Sequence, residues 1–110
     1  MLPGKYNITC PQGTTFMRTF TAKINRAPVN LTGYQTRMHV RPTYDGPLVL
    51  EAATALADAR VGTVSVTITA AQTSALKAGT YVYDLELEAP NGEVIRLIEG
   101  RFVITPEVTR

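Results

Sequence analysis

The chain has 110 residues, 45% hydrophobic and 18% charged, with eleven basic and nine acidic side chains and a formal net charge of +2. That length fits a single domain over residues 1–110 with its own core, and the composition excludes a disordered chain and a membrane-spanning helix, which needs an apolar run of about 18 residues. A charge excess this small does not imply nucleic acid, for which a basic stripe is needed and only one short candidate exists, and five tyrosines and three phenylalanines without tryptophan make a poor stacking platform.

The opening M-L-P-G-K-Y-N has no apolar signal-peptide core, so cytoplasmic synthesis is expected. From Lys5 to Cys10, Tyr6, Ile8 and Cys10 alternate with Lys5, Asn7 and Thr9, which predicts a first strand ended by Pro11-Gln12-Gly13. Thr14 to Ile24 predicts a long threonine-rich strand with Phe16, Phe20, Ala22 and Ile24 facing inward and Arg18 snorkelling at its edge. Asn25 to Gly33 is a connection that tucks Val29 and Leu31 under the sheet.

Tyr34, Thr36, Met38 and Val40 then face one way, with Gln35, Arg37, His39 and Arg41 on the other. Pro42 and the turn Tyr44-Asp45-Gly46-Pro47 end that strand, and Leu48 to Leu50 is expected as a short strand at an edge, since prolines flank it. Ala52 to Arg60 has a thin apolar face and is expected as a loop with one helical turn. Val64, Val66 and Ile68 mark a strand whose other face is mostly hydroxyl.

Thr69 and Gln72 stand at capping-box spacing, Leu76 would pin the turn to the core, and Gly79 would stop it. Tyr81, Tyr83, Leu85 and Leu87 alternate with Val82, Asp84, Glu86 and Glu88 in a long two-faced strand. Asn91-Gly92 predicts a tight hairpin, and the return strand Glu93 to Ile104 is expected to bulge at Gly100 before Pro106 ends the sheet and the tail frays. Seven or so strands without a long crossover helix define an all-β fold. The expectation is an immunoglobulin-like antiparallel β-sandwich with one short helical turn near residues 70–77 and a tyrosine corner at Leu76, Gly79 and Tyr81.

The chemistry-bearing residues read as structural. His39 lies between Arg37 and Arg41, which repel a cation, and Cys10 has no histidine to act as its base. Asp84, Glu86 and Glu88 line one strand face and are expected to pair across strands with Arg37, His39 and Arg41. With no phosphate loop, nucleophile elbow or C-x-x-C, the chain is expected to be no enzyme, with no catalytic residue, metal, cofactor or small-molecule substrate.

Taken together, P-Q-G-T-T-F-M-R-T-F-T, V-N-L-T-G-Y-Q-T-R-M-H-V-R, A-G-T-Y-V-Y-D-L-E-L and G-R-F-V-I-T-P-E-V-T-R resemble a family of small structural proteins of tailed bacteriophages and prophages. The likeness is to the N-terminal immunoglobulin-like domain of phage baseplate upper proteins, and it runs from Gln12 to Arg110. That resemblance implies a virion protein that binds other virion proteins in tail, baseplate or neck in a multi-copy assembly. Capsid decoration on the head surface is the alternative, and a receptor- or glycan-binding module ranks third. In the family a longer fibre-like region follows; this chain stops after Arg110, so a free-standing module is expected. The expected contact residues are Tyr44, Leu48 and Leu50 in the 43–60 region and Thr105, Glu107, Val108 and Arg110 in the tail, with neither membrane nor nucleic acid as partner.

Overall fold

The computed structural model describes residues 3–109. Ten strands follow in order: β1 (Gly4–Lys5), β2 (Ile8–Pro11), β3 (Phe16–Thr21), β4 (Lys23–Ile24), β5 (Ala27–Pro28), β6 (Gln35–Arg41), β7 (Leu50–Asp58), β8 (Thr63–Ile68), β9 (Gly79–Glu88) and β10 (Val94–Thr105). The strand path runs β1-β10-β9-β6-β7-β8-β3, with β2 also on β10 and β4-β5 a separate hairpin. Leu50–Ala52 of β7 pair with β6, whereas Ala53–Asp58 pair with β8, so β7 passes from one layer to the other. The result is a β-sandwich in which seven strands, β2, β3 and β6 to β10, carry the two layers.

The core is the set of inward side chains between those layers. Met38, Val40, Leu85, Leu87, Phe102 and Ile104 come from one, and Phe16, Val64, Val66 and Ile68 from the other, all buried. Phe102 sits at the centre with edge-on rings of Phe16 and Tyr83, each at 6.4 Å, a geometry that adds about 0.5–1.5 kcal/mol per pair beyond the area buried. Ala70–Ser74 form the helical turn α1, and Thr69 and Gln72 make both bonds of the capping box. The Tyr81 hydroxyl donates to the Lys77 carbonyl at 2.6 Å, which is the tyrosine corner.

Several sequence expectations change. Ala52 to Asp58 is strand, not loop: Leu50 and Ala52 are buried and Thr54 and Leu56 half-buried, and cross-strand burial outweighs the helix propensity of alanine. Only Ala59–Val61 form a 3-10 turn there. Leu48 and Val49 precede the strand, and Leu50 is core rather than surface. The expected strand Lys5 to Cys10 breaks between β1 and β2, and the long strand from Thr14 stops at Thr21. The β4-β5 hairpin follows, turning on Asn25 and Arg26 at positive φ. The α1 turn ends at Ala75, so Gly79 does not stop it but opens β9 with φ 154°. The β9-β10 turn is a longer loop with Gly92 at φ 89°, closed by Ala89 and Glu93, rather than a two-residue hairpin. The sheet is also not purely antiparallel, because β1 and β2 pair with β10 in parallel.

The bulge in β10 lies at Leu97, where the register shifts between Arg96 and Ile98, and not at Gly100. Gly100 serves another purpose. A Cβ there would stand 2.3 Å from the Tyr6 carbonyl oxygen, so only glycine lets the β1-β2 segment cross so closely. Four bonds fix the crossing. The Tyr6 N–H donates to the Glu99 carbonyl at 3.0 Å, the Arg101 N–H to Asn7 Oδ1 at 3.0 Å, the Tyr83 hydroxyl to the Tyr6 carbonyl, and the Gln12 N–H to the Thr105 carbonyl at 2.9 Å.

Gly100→Ala is therefore expected to lower stability in urea unfolding by about 2–4 kcal/mol. Gly92→Ala, in open space, is expected to cost only the left-handed backbone penalty of about 1–2 kcal/mol. Equal losses would refute the close-approach reading.

Candidate functional site

The outward faces of β6, β9 and β10 carry a dense set of charges of both signs because strand alternation sends every second side chain to that side. In-register pairing arranges them in rows across the sheet. Arg37 stands opposite Glu86, which stands opposite Arg96; His39 is opposite Asp84, and Asp84 opposite Glu99; Arg41 is opposite Val82, and Val82 opposite Arg101. The Leu97 bulge puts Arg96 and Glu99 on the same face three residues apart rather than two. This lets Arg96 reach Glu99 Oε1 at 3.1 Å and Asp84 Oδ2 at 3.3 Å. Arg96 thus separates two carboxylates that the register sets directly opposite each other.

Every acid on this face has a cationic or histidine neighbour. Arg37 donates to Glu86 at 3.1 Å and Glu88 at 2.9 Å, Lys5 pairs with Glu99, and His39 Nε2 lies 3.2 Å from Glu51 Oε2. Burial first and the Glu86 charge second push the Asp84 carboxyl above the usual aspartate range, against the pull of Arg96 and His39. Glu99 moves the other way, held low by hydrogen bonds from Lys5 and then Arg96. Burial pushes the Tyr83 phenol up, keeping it a neutral donor to Tyr6.

Two arginines differ from the rest. Among the described residues neither Arg41 nor Arg101 has a carboxylate within ion-pair distance. Arg41 instead donates to the Gly46 carbonyl at 2.9 Å, bracing the turn that carries Tyr44. A cleft of about 440 Å³ runs from His39, Asp84 and Glu99 to Arg41, Val82 and Tyr44. Tyr44 is 79% exposed on its rim, and Leu48 and Val49 are exposed further along the same loop. Tyr44 and the Arg41 guanidinium beside this cleft can take an acidic group of a partner, and Arg101 stands across Val82 on β10, outside the cleft lining. Among the described residues no three His, Cys, Asp or Glu side chains converge as a metal site, and no helix is long and apolar enough to cross a membrane.

The charged residues singled out in the sequence are thus brought together here, with different partners in part. Arg37 meets Glu86 and Glu88, whereas His39 turns to Glu51, Asp84 to Arg96 and Arg41 to a carbonyl. Of the expected contact residues, Tyr44 and Leu48 are exposed and Leu50 is buried. Thr105 belongs to β10, and the Glu107 N–H donates to Gln12 Oε1 at 3.2 Å, so the tail is tied down that far. Val108 is 93% exposed, and Arg110 lies outside the described residues. Arg96, Arg101 and Glu99 were not picked out from sequence; the bulge that brings Arg96 onto the face of Glu99 leaves no sequence mark.

Fold and face together define the class: an all-β sandwich domain of immunoglobulin-like type with a charged, cleft-bearing outer sheet. No family model matches the chain, and no curated protein does. Among solved structures it is similar to CopC from Methylosinus trichosporium OB3b, with 16% identity and a TM-score of 0.50 over 97% of this chain and 89% of that one. This is a likeness of fold alone. A family 123 glycoside hydrolase from Clostridium perfringens aligns at 11% identity and a TM-score of 0.43, over 97% of this chain and 24% of that one.

Two outcomes test the electrostatics. Arg37→Glu is expected to lower stability by about 1 kcal/mol, and adding Glu86→Arg should recover part of it; simple additivity would refute the pairing. A carboxyl whose pKa rises on folding costs stability as pH climbs from the ordinary aspartate value through the raised one. The lowered Glu99 contributes stability that is present above the ordinary glutamate value and lost as pH falls through its folded one. Arg96→Met should therefore move the Asp84 midpoint further up and bring Glu99 back up in a carboxyl NMR titration. Unmoved midpoints would show that Arg96 is not what holds them.

Proposed function

We propose that the chain is a non-enzymatic assembly module and, on the residues it shares with phage baseplate upper proteins, a virion structural protein that binds other virion proteins in the tail, baseplate or neck. The observation that carries the binding role is Tyr44, almost wholly exposed beside Arg41 and a cleft. Tyrosine and arginine dominate interface energetics because they supply large contact areas and directed bonds at modest entropic cost. Arg101, two strands away across Val82, adds a second cation without a carboxylate partner to the same face. The carboxylates of the face are engaged by cations or by His39, so the groups left to recognise a partner are the aromatic, the apolar loop and the two arginines. The virion setting itself rests on the sequence resemblance.

Mass spectrometry of purified phage particles should find the chain as a stoichiometric component, and its absence would sink the virion reading. Tyr44→Ala and Arg101→Glu should each reduce incorporation about tenfold or more while leaving thermal unfolding unchanged. Normal incorporation of both variants would move the interface elsewhere.

A further inference from the structure

We propose that the free edge of β3 is a strand-addition site that takes an extended segment of a partner protein, with an acidic residue facing Arg18 and apolar residues two positions to either side. Among the described residues β3 ends the strand path, pairing with β8 and nothing else. No backbone or side-chain bond among the described residues satisfies its other edge. Proteins blunt such edges with proline, a bulge, charge or a covering loop. The six residues Phe16–Thr21 contain no proline and no register shift, and a single charge, Arg18.

The facing edge of the other layer shows the contrast. β1 and β2 are short and broken, with Pro3 just before β1 and Pro11 ending β2, and they lie on β10, leaving a seam between themselves and β3. That seam is apolar. The Tyr6 and Phe20 rings meet edge-on at 5.5 Å across it, with Tyr6 38% exposed and Phe20 half-buried. Arg18 lies over the Phe16 ring, 5.5 Å from its centroid, and has no carboxylate partner among the described residues. A strand added here would bury apolar surface against Phe20 and set its middle inward residue against Arg18, while its backbone completes the edge.

Charge selects the occupant. Beyond Arg18, the same end of the layer carries Lys23, Arg26 and Arg60 against Asp58 alone. A second copy pairing antiparallel through β3 would bring two Arg18 side chains together, which is unfavourable. An acidic donor meets no such conflict. The inference stands apart from the Tyr44 face and from the virion reading, since it concerns the isolated domain.

The probe is the capped heptapeptide Thr-Val-Thr-Glu-Thr-Val-Thr, with its lysine-centred counterpart as control, titrated into the ¹⁵N-labelled protein. The glutamate peptide should slow amide exchange across Phe16–Thr21 and shift β3 and Tyr6 resonances, binding at least about tenfold more tightly than the lysine peptide, a difference of about 1.4 kcal/mol. Arg18→Glu should reverse that preference, which separates charge recognition from any loss of fold because the variant must still bind the lysine peptide. No protection along β3, equal binding of both peptides, or a β3-mediated homodimer in sedimentation would each overturn the proposal.

Discussion

The structure depends on the crossing of Tyr6 over Gly100. Because a side chain at position 100 would collide with the Tyr6 carbonyl, glycine alone lets the N-terminal segment lie against β10. The buried Tyr83 hydroxyl then satisfies that carbonyl from below, so a polar group inside the sandwich is not left unbonded. The crossing commits β1 and β2 to β10, in parallel. The consequence appears on the opposite layer, where among the described residues β3 pairs with β8 alone and the Tyr6 ring reaches Phe20 across an open seam.

A second constraint follows from β9 at the centre of the charged sheet. Its inward residues Tyr83, Leu85 and Leu87 are buried, and its outward Asp84, Glu86 and Glu88 form an acidic column between the basic residues of β6 and β10. Three adjacent strands of like charge would repel. Here the acids are neutralised on both sides, by Arg37 from β6 and Arg96 from β10. The pairs are half-exposed and individually worth little. Their larger effect is to leave Arg41 and Arg101, among the described residues of this face, without an acidic partner, Arg41 beside the exposed Tyr44.

Most of the fold was legible. The alternation of β6, β8 and β9, the capping box at Thr69 and Gln72, and the tyrosine corner are local signals whose physical basis acts within a few residues. Where reading failed, a distant partner decided. Ala52 to Asp58 is a strand because β8 lies alongside it, and the Leu97 bulge depends on how β10 must bend to keep Phe102 and Leu97 both inward. The charged face was legible as opposed columns, but the individual pairings were not, because they turn on which side chain can reach across a bulge.

By itself, then, the sequence determined an all-β chain, the inward and outward face of each main strand, and the placing of basic residues on β6 opposite acids on β9. These follow from a two-residue period and from spacing. Tertiary structure decided the parallel docking of the N-terminal strands, the passage of β7 between layers, the partners of Arg96 and His39, and the open edge at β3. Each is set by contacts between residues far apart in the chain, whose approach no local pattern encodes.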